Sequence, residues 1–274
     1  MRLSTLFAST VLATFVATSA ASAAAIPFTW SPTGAGLSTD AGTFTASHLT
    51  IVDYALINAQ DAAHVHEDAI LQVVGFNTST PGLVTPSGVV GSANPYTLYF
   101  TVHTESHLSG APNNLSGAFD SLSYTLWGNA GNDCSFAATF AAGPTATCTG
   151  ASIALATGGL ATNGSHNQVH IVNGVPDAAV DVSVTSVDPS FWLSPTFLSN
   201  LLFQTSFINN DIQVTVGSGA DAGKFLIGGC DVSTSCPGGG TFDLVAVPEP
   251  LTLSLFGAGL AGAAALRRRK ANKA

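Results

Sequence analysis

Apolar and polar residues alternate along many short segments between residues 24 and 246. In the segment 96–103 the two sides of the period are Tyr96, Leu98, Phe100 and Val102 against Thr97, Thr101 and His103. The same period of two recurs at 121–126, 180–185 and 211–216. This pattern predicts β-strands that each have one buried face.

Clusters of glycine, proline, asparagine and serine lie between these segments, at 80–91, 110–116 and 157–167, and predict loops. A helix is expected only around Phe191–Phe203, where Pro195 interrupts the pattern. Many short strands without helical periodicity predict an all-β fold, an antiparallel β-sandwich-like single domain.

The first residues have the layout of a secretion signal. Arg2 precedes an apolar run from Leu6 to Ala17, and Ala21-Ser22-Ala23 fits the small-residue pattern that signal peptidase cleaves. The run is too short for a stable bilayer span. We therefore interpret residues 1–23 as a signal peptide rather than as a buried helix.

The C-terminal segment combines three features in a fixed order. Pro248-Glu249-Pro250 precedes the uncharged run Leu251–Leu266, and the basic residues Arg267, Arg268, Arg269 and Lys270 follow it. The prolines end any preceding element, so an apolar helix can begin after them, slightly short for a stable span. The basic end favours the cytoplasmic side, which predicts transient insertion into the inner membrane. An ordinary anchor would explain the helix and the arginines but not the proline–glutamate–proline triplet.

These three features resemble the PEP-CTERM sorting signal. The resemblance implies that residues 247–274 are recognised by an exosortase-type processing enzyme of Gram-negative bacteria that make exopolysaccharide. Residues 24–246 are then the exported β-rich domain, and its destination is the cell surface or the extracellular matrix.

Four segments of the body resemble the flocculation-associated PEP-CTERM proteins, at 27–30, 51–55, 96–100 and 119–128. That resemblance implies a non-enzymatic protein that promotes cell aggregation, as flocculation or biofilm, in an exopolysaccharide context. Its shared segments are apolar strand patterns and imply no catalytic residue.

Charge is distributed unevenly along the chain. Lys224 is the only basic residue between 24 and 266, whereas all 16 Asp and Glu residues lie in that region. A body with a single lysine cannot neutralise phosphates, which excludes nucleic acid as a partner. Its acidity permits contacts to acidic exopolysaccharide through divalent cations.

Four cysteines form two close pairs in the sequence, Cys134 with Cys148 and Cys230 with Cys236. Export implies an oxidising compartment, and no pair has the spacing of a zinc site. Four cysteines permit three connectivities, of which sequence proximity favours the two local disulfides over free thiols.

The segment His64-Val65-His66-Glu67-Asp68 is a weak metal candidate. On a strand, His64 and His66 would share one face and could bind a metal together with a carboxylate such as Glu67. The alternative is a polar turn before a strand at 69–76. Nothing elsewhere supplies a compelling third ligand, since His103, His107, His166 and His170 are candidates only by residue type, so we predict neither a metal nor a cofactor.

Known catalytic motifs are not present in the sequence. Gly217–Lys224 lacks the spacing and the Ser/Thr of a phosphate-binding loop, and no nucleophile elbow occurs. Paired carboxylates for glycoside cleavage, from Glu67, Glu105 or the aspartates, stay open because their separation depends on the fold. Trp127 and Trp192 offer rings for sugar stacking, although such rings are more often core. The alternative to a matrix protein is therefore a secreted carbohydrate-binding or carbohydrate-active protein.

Overall fold

The computed structural model describes residues 26–246, with gaps at 40–41, 62, 78–95, 112–113, 132, 163, 165, 174, 195–200, 209–213 and 229–238. For 201–208 and 239–246 it describes the backbone alone. These residues contain no α-helix and one 3-10 turn, Gly219–Asp221. Their strands are β1 (Phe28–Trp30), β2 (Phe44–Ala46), β3 (His48–Asn58), β4 (Val65–Asn77), β5 (Tyr96–Ala111), β6 (Asn114–Ala130), β7 (Ser135–Thr139), β8 (Gly143–Thr147), β9 (Ser152–Leu160), β10 (Asn167–Val172), β11 (Val175–Val187), β12 (Trp192–Ser194), β13 (Leu201–Ile208), β14 (Val214–Val216), β15 (Lys224–Gly228) and β16 (Gly239–Ala246).

All strand pairings within the three sheets are antiparallel, which confirms the predicted all-β antiparallel fold. The main sheet closes on itself, because β3 pairs with β4 on one side and with β16 on the other. Around this ring the order is β3, β4, β5, β6, β10, β11, β13 and β16, which nearly follows the chain. The apolar face that the alternation predicts is therefore the inside of one closed sheet.

Two short strands, β9 and β10, both lie between β6 and β11 in the main sheet. β10 pairs with their ends at 114–117 and 175–180, and β9 pairs with the stretches 123–129 and 182–187. Gly158 of β9 lies so close to β11 that a Cβ atom there would clash with the carbonyl oxygen of Ser183. The glycine is required because the backbones approach too closely for any side chain.

The link from β9 to β10 is fastened to β11 by a buried side chain. Asp181 is 2% exposed, and its carboxylate accepts hydrogen bonds from the backbone N–H of His166 at 3.0 Å and from the His166 ring at 3.2 Å. The alternation predicts Asp181 on the polar face, but the structure buries it because the link crosses over it. A buried carboxylate is tolerated where donors satisfy it.

One end of the ring is filled by large apolar side chains. The small sheet β12–β1–β2 brings Trp30 and Phe28 to this end, where Trp30 stacks on Phe76 with ring centroids 4.4 Å apart. The Trp30 indole N–H donates to the hydroxyl of Tyr96 at 3.0 Å. Both tryptophan and tyrosine can be buried here because their polar atoms satisfy each other.

The β7–β8 hairpin packs on the outside of the ring. Phe136 lies against Tyr54 and Tyr99, with ring centroids 5.7 and 5.5 Å away. The disulfide Cys134–Cys148 joins the two ends of this hairpin, as predicted. The cover explains why β5 is buried on both faces from Tyr96 to Phe100 and alternates only beyond them.

Two expectations about secondary structure are wrong. The described part of the region 191–203 contains no helix. Trp192–Ser194 (β12) pairs with β1, and Leu201–Ile208 (β13) pairs with β11 on one side and with β16 on the other. The segments 110–116 and 157–167 are strand in part rather than loop. In the first case pairing with other strands outweighs the local pattern, and in the second it outweighs the loop preference of glycine and serine.

Candidate functional site

A cavity lies inside the ring, lined by side chains of β3, β4, β5, β6, β10 and β11. Most of its wall is aliphatic or aromatic: Ile57, Val65, Leu71, Val102, Leu108, Phe119, Ile171, Val180 and Val182. An apolar lining with a few polar groups is typical of small-molecule sites.

Two carboxyl groups face this cavity from adjacent strands, Asp53 from β3 and Glu67 from β4. The strand register pairs Asp53 with Leu71 and Glu67 with Ile57, so one residue pair, Ala55 with Ala69, lies between them. Because these two alanines are small, they leave space between the carboxyl groups. Thr104 faces Glu67 across the β4–β5 pairing and is itself 3% exposed.

Asp53 is 3% exposed, and its Oδ1 atom has no hydrogen-bond partner among the residues that the structure describes. The hydroxyl of Thr104 lies close enough to the Glu67 carboxyl group to lower its pKa. Buried polar atoms are nearly always hydrogen-bonded, so the unpartnered Asp53 Oδ1 beside this cavity indicates a place for a bound molecule or water.

Burial dominates the acidity of both groups. Burial, and then the charge of Glu67, raise the pKa of Asp53 well above its usual range. Burial, and then the charge of Asp68, raise the pKa of Glu67 to about 7. The Glu67 side chain is half-buried, because it faces the open cavity. Both carboxyl groups are therefore neutral over part of the range in which ordinary carboxylates are charged.

The predicted metal candidates do not converge. His64 lies before β4 in a turn, where its ring hydrogen-bonds Asp61 at 2.9 Å. His66 and Glu67 are adjacent on β4 and point to opposite faces, His66 outward and Glu67 into the cavity. Within the described part of the chain, no group of three or more His, Cys, Asp or Glu residues is placed to hold a metal ion.

The outer faces of β4, β5 and β6 carry paired histidines and acids. His66 lies 3.2 Å from Asp68 and 3.3 Å from Glu105, while His107 lies 2.7 Å from Asp120. His103 pairs with Asp68. These side chains are accessible, and the pairs place several carboxylates on one exposed face of the ring.

The tryptophans predicted as possible sugar platforms serve the fold. Trp192 is buried, and its indole N–H donates to the carbonyl oxygen of Leu155 at 3.0 Å. Trp127 is half-buried beneath the β7–β8 hairpin and donates to the hydroxyl of Thr101 at 3.0 Å. Lys224, in the segment compared with a phosphate loop, pairs with Asp221 at 2.8 Å.

The C-terminal tail supplies the clearest functional signal. Residues 246–270 match the family model of the PEP-CTERM protein-sorting motif. The match contains Pro248, Glu249 and Pro250 together with Arg267, Arg268 and Arg269, as the sequence resemblance implies. The motif indicates an exported protein whose C-terminal segment is processed by an exosortase.

No curated protein and no solved structure matches the chain. Residues 247–274, the predicted signal peptide at 1–23 and the pair Cys230 and Cys236 lie outside the described residues. Among the residues that are described, no helix is long and apolar enough to span a membrane.

Asp53 is the residue that the sequence interpretation missed. It lies in the segment Ile51-Val52-Asp53-Tyr54-Ala55, where apolar residues occupy both faces of the strand. A carboxyl group in such a strand is buried whichever way it points, and this was the signal that could have found it.

Proposed function

We propose that this exported protein is a non-enzymatic component of the cell surface or extracellular matrix that promotes flocculation or biofilm formation. The observation that supports export and exosortase processing is the sorting motif at 246–270. The step to aggregation rests on the resemblance of the body to flocculation-associated proteins and on its acidity.

The proposed mechanism is association through exposed carboxylates. Asp61, Glu105, Asp120 and Asp177 are all exposed on the described surface, and the body has a single lysine to oppose them. Calcium prefers several oxygen ligands, so it can bridge such carboxylates to acidic exopolysaccharide or to a second copy. Monovalent salt only screens their repulsion, within about 10 Å at 0.1 M.

A deletion strain tests the cellular role. We expect loss of flocs on deletion, recovery with the full chain, and no recovery with a chain that lacks residues 247–274. Normal flocculation in the deletion strain would refute the aggregation role while leaving export and processing untouched.

Light scattering of the exported protein with acidic polysaccharide tests the mechanism. We expect scattering to rise with calcium and to fall on addition of a chelator, whereas magnesium-free sodium chloride at the same ionic strength should not reproduce the rise. Association that is indifferent to both would contradict bridging by cations.

The alternative function is a carbohydrate-active protein, and the observation that favours it is the pair of carboxyl groups in one cavity. Two carboxyl groups with differently shifted pKa values can divide the roles of acid and base. Release of reducing sugar from polysaccharide, abolished by Glu67→Gln and retained by Glu105→Gln, would establish that function in place of the first.

A further inference from the structure

The cavity contains two buried carboxyl groups and no lysine or arginine to balance them. Lys224 is the only base between residues 24 and 266, and it is engaged with Asp221 at 2.8 Å. Among the described residues, Asp53 Oδ1 has no hydrogen-bond partner. Charged carboxylates without a counter-ion are unfavourable in an apolar interior, so this lining favours their protonated forms.

We propose that the cavity binds a small organic cation, an ammonium group carried on an apolar body. An ammonium group is a hydrogen-bond donor only, and the cavity offers it the unpartnered Oδ1 of Asp53, with the carboxyl group of Glu67 four residues further along the strand register. The apolar body would lie against the aliphatic wall formed by residues such as Leu71, Val102 and Val180. This ligand supplies the missing positive charge and a hydrogen bond to Asp53 Oδ1.

Other ligand classes fit the lining less well. Calcium takes six to eight oxygen ligands, whereas the wall offers two interior carboxyl groups, three hydroxyls and otherwise mainly apolar side chains. A sugar presents a hydroxyl on nearly every carbon, and most would face aliphatic side chains without a partner. The site is therefore suited to one polar cationic group on an otherwise apolar molecule.

The mouth of the cavity adds a further acid. Asp177 of β11 lines the cavity and is exposed to solvent. An exposed carboxylate at the entrance of a site with low-dielectric walls attracts cations and repels anions.

Binding should be linked to protonation of the carboxyl pair. Among described residues, the titratable groups lining the cavity are Asp53, Glu67, Asp177 and Tyr124. Neither β5 nor β10 adds a titratable side chain to the lining, and the His66 and Asp68 side chains act on Glu67 from the outer face. Since a bound cation favours the ionised carboxyl groups, affinity should increase as the pH rises toward 7, by up to about tenfold per pH unit for one released proton.

The proposal can be tested by calorimetry on the exported protein with hexylammonium as the probe and hexanol as its neutral counterpart. We expect one hexylammonium per chain, and at least a tenfold weaker affinity for hexanol. Glu67→Gln and Asp53→Asn should each weaken hexylammonium binding at least tenfold. Glu105→Gln is the matched control, because Glu105 lies on the adjacent strand β5 with its side chain on the outer face, and it should leave the affinity unchanged.

Circular dichroism of each variant shows whether it folds, and Glu67→Gln alone is sufficient if Asp53→Asn does not. Equal binding of hexanol and hexylammonium would overturn the proposal, as would no binding of hexylammonium at millimolar concentration. Displacement of the probe by micromolar calcium would show that the cavity is a metal site instead. Each result is independent of the flocculation assay, so the cavity and the matrix role can fail separately.

Discussion

At the scale of single residues, the interior carboxyl groups set the chemistry of this molecule. Asp53 and Glu67 lie on the inner face of a closed sheet, where burial raises the pKa of each. Asp181 is equally buried but is satisfied by the backbone and the ring of His166. The same residue type thus has two roles, determined by the donors that surround it.

Glu67 should make folding stability depend on pH in an unusual direction. The pKa of Glu67 is about 7 in the folded protein and 4.5 in an unperturbed chain, so the folded state binds more protons between these values. Stability from this residue is therefore full below 4.5 and is lost as the pH rises to about 7, by roughly 3 kcal/mol.

Urea denaturation at several pH values measures this effect. We expect the free energy of unfolding to fall less steeply with pH in Glu67→Gln than in the wild type, while Glu105→Gln retains the wild-type slope. Identical slopes for the wild type and Glu67→Gln would show that the carboxyl group ionises freely.

Asp181 should contribute to stability through its hydrogen bonds. Asp181→Ala leaves the N–H of His166 without its partner beneath the β9–β10 link, so the free energy of unfolding should decrease by about 2–4 kcal/mol. Asp177→Ala on the same strand removes an exposed carboxylate and should change it by less than about 0.5 kcal/mol. A similar small loss for both variants in chemical denaturation would contradict the role given to Asp181.

At the scale of elements, the hairpin that packs outside the ring determines how deeply the ring's own strands are buried. The β7–β8 hairpin covers one outer face and is joined at its base by Cys134–Cys148. Because of this cover, the strand pattern from 96 to 100 is buried on both faces, although its sequence alternates.

The disulfide should stabilise the hairpin on the ring. For a loop of this size the chain-entropy estimate is about 3 kcal/mol, so the Cys134→Ser, Cys148→Ser double variant should lose stability of that order. The Cys230→Ser, Cys236→Ser double variant serves as the control.

Peptide mapping under non-reducing conditions should recover Cys134 linked to Cys148 and Cys230 linked to Cys236. Crossed linkages between the two pairs would overturn the predicted pairing.

Alternation along the sequence predicted the strands well because a period of two is a local property. Tyr96, Leu98, Phe100 and Val102 all point into the ring, as expected. Glu67 shares its parity with Val65, Ala69 and Leu71, so its inward direction was also readable once β4 was known to begin at Val65. The start of β4 was not readable, because the polar run 64–68 suits a turn equally well.

Closure of the sheet could not be predicted from the sequence. It depends on pairing such as Ile51 with Gly240, between strands at opposite ends of the body. No local pattern specifies such a partner, and the cavity exists only because the ring closes. The helix expected at 191–203 failed for the same reason, since its residues pair with strands distant in sequence.

At the scale of the whole molecule, an acidic closed-sheet body is joined to a C-terminal sorting motif, and the sequence predicts an export signal ahead of the body. The tail is the part whose meaning the family match establishes. The body is described by its own geometry, an apolar cavity with two acids inside and histidine–acid pairs outside.

Processing of the tail should be visible in the mass of the mature protein. The sorting motif predicts that exosortase removes the basic end, including Arg267, Arg268 and Arg269. Mass spectrometry of protein recovered outside the cell should therefore lack Lys270-Ala271, whereas a strain without exosortase activity should retain it. Intact Lys270-Ala271 in the surface protein of the wild-type strain would contradict the prediction.

The closing strand has a consequence for the order of events during export. β16 ends at Ala246, the residue at which the matched sorting motif begins. A chain that crosses the membrane from its N-terminus delivers β3 early, and β3 then waits for about the whole body to emerge before β16 arrives to pair with it. Such distant pairing is slow to form. We therefore expect the ring to close only when the sorting tail reaches the membrane, so that β16 docks beside the segment that carries the sorting motif.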